Sequence, residues 1–310
     1  MTDVSVIVPA RDAAERIERT LAALAAQDFD GDWEVVVVDD GSLDGTAAVA
    51  KRAGARVVRN EAPRGPADAR NAGVAASSGA LLAFTDSDCV PERGWLRAGV
   101  AACRDADLVQ GRVEPDSEHP PGAFDHTINV ATESLLYETA NLFVRREWFE
   151  RVGGFRPFID PAEGHFGEDV VFAWEARRLG ARPGFAAGAV VRHEVVRRPA
   201  SAWIRERRRL RLFPPLTKAV PELRARMPAR IFLSARTARF DLAVAGAVLA
   251  ALTGRRWPLL AALPYARRSL RTWDPWTASA VRENAALVAG DSVSFASLAE
   301  GSVRARTLVL

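Results

Sequence analysis

Cysteine is nearly absent from this chain of 310 residues: Cys89 and Cys103 are the only two. Two thiols cannot build a disulfide framework or a four-ligand zinc cluster, and they suit a reducing compartment. Long apolar runs are missing as well. Crossing a bilayer takes about 20 apolar residues, whereas residues 242–252 give a run of 11 and the run at 257–266 is broken by prolines. No basic-then-apolar leader precedes the first strand-like run at residues 4–8, so the expected compartment is the cytoplasm. There is no internal repeat, which excludes a solenoid. No Gly-x-Gly-x-x-Gly follows an early strand, which argues against a dinucleotide dehydrogenase.

Negative charge is scarce in one half only. Residues 1–195 hold 21 Lys and Arg against 32 Asp and Glu, while residues 196–310 hold 21 against 7. The balances of −11 and +14 cancel to a net +3 that conceals the split. A basic tail of this kind suits an anionic surface, or forms a solvated face on packed helices. Phospholipid is the expected partner, at the inner face of the cell membrane, rather than nucleic acid. The expected division is a core domain over residues 1–198 and a basic helical region over 199–310.

Short apolar runs at residues 4–8, 35–38, 57–58 and 81–84 alternate with helical patterns, such as Ile17, Leu21 and Leu24 at i, i+4 and i+7. Short buried strands separated by amphipathic helices predict an α/β fold with a doubly wound, mostly parallel sheet. Further on, residues 107–113 read as a strand and 114–122 as a polar loop. A strand at 141–145 runs into a helix from Glu147, residues 168–179 form a helix, and a short strand at 189–191 delivers His193. Beyond residue 199, Arg205, Arg207, Arg208, Arg209 and Arg211 share one predicted helix with Trp203, Ile204, Leu210, Leu212 and Phe213. Aromatic and basic residues flanking short apolar helices fit in-plane membrane contact.

Ligands of such a sheet bind beyond the carboxyl ends of its strands, and acids cluster there. Asp39 and Asp40 follow the second strand, Asp86 and Asp88 the fourth, and Glu168 and Asp169 open a later helix. In an extended segment, residues i and i+2 point the same way, so Asp86 and Asp88 would face one ligand. Paired carboxylates repel unless a cation joins them, and oxygen donors favour Mg²⁺ or Mn²⁺. Each cluster also has a plain structural use: Asp-Gly-Ser favours a turn, and acids at a helix start complement its dipole.

Taken in order, these segments resemble family 2 glycosyltransferases with the GT-A fold. The matching residues are Val4-Ser5-Val6-Ile7-Val8-Pro9-Ala10-Arg11, Val38-Asp39-Asp40-Gly41-Ser42 with Asp44-Gly45-Thr46, Gly65, Ala69-Arg70-Asn71-Ala72-Gly73, Thr85-Asp86-Ser87-Asp88 and Gly167-Glu168-Asp169. The resemblance implies an inverting transferase that uses a nucleotide diphosphate sugar. Asp40 would meet the nucleobase in a pocket lined by Pro9, Ala10 and Arg11; Arg70 would lie by the phosphates, and Asp86 at the ribose. Asp88 would hold Mn²⁺ or Mg²⁺, with His193 as a further ligand. Asp169, with Glu168 beside it, would be the general base that takes the acceptor hydroxyl proton. UDP-sugar leads as the donor class, with TDP and GDP open, because a carboxylate accepts from the N–H edge of uracil, thymine or guanine alike. The hydroxyl acceptor is unidentified, a lipid-linked or cell-envelope molecule being the expected kind. His165, in Gly164-His165-Phe166-Gly167, is the candidate for the acceptor side. Phe155, Trp148 and Gly153-Gly154 resemble the acceptor segment or serve the core. In place of the family's usual Asn-Glu the chain carries Asp12-Ala13, to which no role is assigned. Two other readings compete: a sugar nucleotidyltransferase, for which Pro9-Ala10-Arg11-Asp12 lacks the expected glycines, and a non-catalytic nucleotide-sugar-binding adaptor.

Overall fold

The computed structural model describes residues 2–117, 120–160, 164–270 and 277–310, so residues 118 and 119 of the predicted polar loop lie outside it. Among the described residues the chain forms two compact units. The first comprises residues 1–121 and 126–196, and the second residues 122–125 and 197–310.

The first unit is built on one sheet of order β3-β2-β1-β4-β7-β6-β8-β5. Strands β1 (Val4–Ala10), β2 (Trp33–Asp40), β3 (Arg56–Asn60) and β4 (Leu81–Phe84) run parallel. Helices α1 (Ala14–Ala25), α2 (Thr46–Arg52) and α3 (Pro66–Ala75) connect them. The chain steps outward from β1 to β3 and returns on the other side at β4, so strand order reverses beside β1. That reversal opens a crevice at the carboxyl ends of β1, β2 and β4.

The rest of the sheet is mixed. Strand β7 (Leu142–Arg145) is antiparallel to both β4 and β6 (Leu108–Asp116), and β8 (Pro183–Glu194) runs parallel to β6. Two short elements go beyond the sequence-based expectation: β5 (Cys89–Pro91), antiparallel to β8, and α4 (Trp95–Ala102). Strand β8 is also far longer than the apolar triplet that announces it, because Gly184, Gly188 and small alanines before the triplet, and Arg192–Glu194 after it, join the ladder without an alternating apolar pattern.

The core explains the pattern that is legible. Val4, Val6 and Val8 are buried against Ile17, Leu21 and Leu24, the apolar stripe of α1. On the other face Gly73 lets α3 approach, since a Cβ there would lie 2.6 Å from Ile7 Cγ2. Phe84, Phe149, Phe155 and Phe172 stack at centroid distances of 4.6–6.0 Å. Burial of each contributes roughly 1.5–3 kcal/mol. Phe155 is therefore core rather than acceptor lining, and Asn71 pins its backbone through Nδ2 to Phe155 O at 2.7 Å and Phe155 N to Oδ1 at 2.9 Å. Gly153, at φ +86, terminates α5 (Arg146–Val152) in the left-handed conformation.

The second unit is helical. The predicted Arg-rich helix is divided: α7 (Ala200–Glu206) passes into a 3-10 stretch at Arg207–Leu212 and then into α8 (Phe213–Ala219). Pro214 and Pro215 account for the division, because their rings exclude a regular preceding turn. Helix α9 (Ala235–Thr253) starts at a capping box between Ser234 and Thr237 and ends at Gly254. A 3-10 turn at Trp257–Ala262, α10 (Leu263–Ser269) and α11 (Ala278–Ala305) follow. Gly290 of α11 makes room for Trp203, and buried Asp291 receives Arg236 Nε at 2.8 Å and Tyr265 Oη at 2.5 Å. Among the described residues no helix is long and apolar enough to cross a membrane.

Candidate functional site

A cleft of about 340 Å³ opens at the strand reversal, lined by Pro9, Ala10, Arg11, Asp40, Gly65, Pro66, Ala69, Arg70, Asp86, Ser87, Asp88 and His165. Every predicted nucleotide-binding residue lines it, together with Asp88.

Asp40 closes β2 and organises one wall. Its Oδ1 accepts from Asn60 Nδ2 at 2.7 Å and Arg64 N at 2.9 Å, and its Oδ2 accepts from Gly65 N at 2.8 Å. A carboxylate offers about four lone-pair positions, so one on Oδ2 remains for a ligand. Asp39 points away to hold the turn, accepting from Ser42 N at 3.0 Å. Asp12 does similar work: it adopts φ +46 and accepts from Leu43 N at 2.8 Å.

Gly65 (φ +95) begins the entry to α3, and a Cβ there would fall 2.0 Å from His165 Cε1. His165 therefore lies against the Asp40 wall and lines the cleft. Only Gly combines that φ with that contact.

The floor of the cleft is an ion pair. Arg70 of α3 is buried and donates from Nη2 to Asp86 Oδ1 at 2.7 Å, while its Nε is buried without a hydrogen-bond partner. Residues 86–88 form a turn, with Cys89 N bonded to Asp86 O at 3.1 Å, rather than the extended segment expected from alternation. The turn sends the two carboxylates to different partners: Asp86 to Arg70, and Asp88 to His193.

His193 reaches Asp88 through sheet register, because β5 and β8 pair Cys89 with His193. Its Nδ1 lies 2.8 Å from Glu194 O, an acceptor, so Nδ1 carries the hydrogen. Nε2 faces Asp88 Oδ2 at 3.8 Å, and in the neutral ring it is the nitrogen that carries the lone pair. Ligand atoms of Asp88, Cys89 and His193 all lie within 4.8 Å of one another. Burial pushes the Asp88 carboxyl up, Asp86 adds to the rise, and His193 opposes it. Burial likewise lifts the Cys89 thiol far above its ordinary value, keeping it protonated. The carboxylate oxygen and imidazole nitrogen of this cluster fit Mn²⁺ or Mg²⁺. Cys89 is the member of this cluster that sequence reasoning left unassigned, and its signal was simply adjacency to Asp88.

Helix α6 (Glu168–Arg178) presents Glu168 and Asp169 in its first turn, after Gly167 at φ +77. Burial raises the Asp169 carboxyl to about 7, Glu168 reinforces the shift, and Arg70 opposes it. Glu138 adds a smaller upward push; no motif in the sequence marks Glu138. A carboxyl that ionises near neutrality beside the cation that grips Asp86 can take a proton at physiological pH.

Comparison with known proteins gives a consistent result. The profile of glycosyl transferase family 2 matches residues 5–162. Glycosyltransferase AglE of Haloferax volcanii is 36% identical over 168 residues, covering 49% of this chain and 55% of the relative. The pre-mycofactocin glycosyltransferase of Mycobacterium tuberculosis is 30% identical over 211 residues, covering 62% of this chain and 43% of the relative. The aligned stretches thus span about half the length of these curated relatives. Among solved structures, a mannosyltransferase of Pyrobaculum calidifontis in complex with GDP-Man and Mn²⁺ superposes with a TM-score of 0.62 at 23% identity, covering 94% of this chain and 86% of that one. Residues 1–349 of TarS from S. aureus in complex with UDP superpose at 0.53 and 20% identity, with coverage of 98% and 91%.

Proposed function

Because the chain belongs to glycosyl transferase family 2 and carries the GT-A fold, we propose that it is an inverting, metal-dependent glycosyltransferase acting from a nucleotide diphosphate sugar onto a hydroxyl. The observation that carries this reading is the convergence of Asp40, Arg70, Asp86 and Asp88 in one cleft, with Asp169 close enough to Arg70 for the guanidinium to bear on its ionisation.

In this reading the free lone pair of Asp40 accepts from the nucleobase, between Pro9, Ala10 and Arg11. Asp86, fixed by Arg70, takes the ribose hydroxyls, and Arg70 sets a permanent positive charge near the phosphates. Asp88 and His193 hold Mn²⁺ or Mg²⁺, which when bound neutralises the charge developing on the departing diphosphate. Asp169, assisted by the like charge of Glu168, removes the acceptor hydroxyl proton. Attack from the face opposite the diphosphate inverts the anomeric centre. Neighbours of the same fold bind GDP-Man with Mn²⁺, UDP and UDP-GlcNAc, which supports this donor class with UDP leading and GDP or TDP as alternatives. Residues 1–198 carry this chemistry. The basic region 199–310 seats the protein peripherally on an anionic membrane, the setting for a lipid-linked acceptor.

A melting-temperature screen of UDP-, TDP- and GDP-sugars with and without Mn²⁺ or Mg²⁺ tests the assignment. A true donor stabilises by mass action and only with the cation present. If no nucleotide sugar shifts the transition under either condition, the reading fails.

A further inference from the structure

Residues 242–270 of the second unit contain Arg255, Arg256, Arg267 and Arg268 and not one Asp or Glu. They form a helical hairpin. The later part of α9 runs to Gly254, which reverses the chain at φ +67, and the 3-10 turn and α10 come back along it. Gly246 is the point of closest approach, since a Cβ there would lie 2.4 Å from Pro258 O and 2.9 Å from Ala261 Cβ. Near the base of the hairpin Phe240 and Tyr265 meet edge to face with ring centroids 5.3 Å apart. Those contacts use the inner side.

The outer side is apolar and bare. On α9, Leu242, Ala245, Leu249 and Leu252 recur at i, i+3, i+7 and i+10, one stripe of the helix, and every one is exposed. At the bend Leu252 is 81% exposed, Trp257 63% and Leu260 63%, with Leu259 and Leu263 exposed beside them. A stripe with this spacing normally marks the buried face of a helix, and a contiguous patch of this sort marks an interaction surface. Single exposed leucines would need no account; a whole hairpin of them does.

We propose that this hairpin is a membrane-seating surface that lies in the plane of an anionic phospholipid interface. Leu252, Trp257, Leu259 and Leu260 enter the boundary of the acyl chains. Arg255, Arg256, Arg267 and Arg268 engage the headgroup phosphates. Charge complementarity selects the occupant: four guanidinium groups without an intervening acid match an anionic surface, each adding favourable energy near it. Trp257 sits next to Arg256, where the apolar and charged parts of the hairpin meet, the position tryptophan favours at membrane interfaces. A second copy of the chain is a poor match, because a two-fold contact brings the same arginines against each other. Among the described residues no helix is long and apolar enough to cross a membrane, and the hairpin lies on the bilayer in this proposal. This deepens the reading of the second unit as a peripheral membrane element and is independent of the sugar-transfer assignment.

Flotation of the full chain tests it, comparing neutral phosphatidylcholine vesicles with vesicles of about 30% phosphatidylglycerol at about 150 mM NaCl. The parent protein is expected to float with the anionic vesicles and stay below with the neutral ones. Leu252→Ser combined with Leu259→Ser and Leu260→Ser should lower vesicle binding at least about tenfold. Replacing the four arginines by Glu should abolish the anionic preference. These side chains are exposed, so an unchanged circular dichroism spectrum verifies the fold. The proposal is overturned if the parent stays below with both vesicles, or if the triple Ser variant floats equally well. A parent dimer that the Ser variant converts to monomer, without flotation, would assign the surface to a second copy. Donor-induced thermal stabilisation, measured on the same proteins without vesicles, reports on the catalytic reading alone, so either can fail while the other stands.

Discussion

His193 turns its Nε2 toward Asp88 Oδ2 at 3.8 Å because its Nδ1–H is committed to the carbonyl of Glu194 at 2.8 Å. A backbone acceptor thereby selects the tautomer that can ligate a cation, and the β5–β8 register supplies the partner carboxylate. The two residues are 105 positions apart and nothing in their local sequence connects them.

His193→Ala should raise the Mn²⁺ concentration needed for donor-induced stabilisation by about 10–100-fold, and Asp88→Ala should abolish the cation-dependent part. Titrating Mn²⁺ against the melting temperature at saturating donor measures both. Equal midpoints in parent and variants would remove these residues from the metal site.

Asp169→Asn should retain donor binding and lose transfer by about 10²–10⁴-fold. In the parent, kcat/KM for the acceptor should rise with pH and level off above about 7, where burial and Glu168 place the carboxyl. An Asn variant with parental turnover would show that the proton goes elsewhere.

The same carboxyl shapes stability. Its folded value of about 7 exceeds the ordinary 3.8, so the folded protein resists ionising it, and stability falls as pH rises between those two values. Asp169→Asn removes the penalty. The variant should melt higher than the parent at pH 8, slightly higher near pH 5, and no higher below about pH 4. A melting difference that does not grow between pH 5 and pH 8 would contradict the raised value.

Arg70 opposes the rise at Asp169, so Arg70→Met should move the acid limb of the rate profile to higher pH, whereas Arg70→Lys should leave it near the parent position. Both should weaken donor binding through loss of the 2.7 Å contact with Asp86. Coincident limbs in the Met and parent enzymes would separate Arg70 from the base.

Gly65→Ala forces a side chain into φ +95 and into the imidazole of His165. The backbone strain alone costs about 1–3 kcal/mol, and displacement of Gly65 N also loosens its bond to Asp40. Adding His165→Ala should relieve the steric part and leave the conformational part. Calorimetric melting of the single and double variants distinguishes the two.

What was legible in the sequence was local. The apolar period of Val4, Val6 and Val8, the stripe of Ile17, Leu21 and Leu24, and the acids placed just after strands fixed where the parallel half of the sheet lies and where its crevice opens. The hidden elements are short: β5 has three residues and ends in Pro91, and α4 has eight and opens on the fully buried Trp95. Alternation misread residues 86–88, because a tight turn rather than an extended chain separates the two carboxylates.

The order of residues along the chain therefore determined which side chains were available and at which strand ends they stood, since periodicity and turn chemistry act between neighbours. Tertiary structure alone decided who meets whom: Arg70 with Asp86, Asp88 with His193, His165 with Gly65, and the surroundings that lift Asp169. Those relations depend on strand order and register across a sheet whose partners lie tens of residues apart, and on burial, which no stretch of chain possesses until the rest has closed around it.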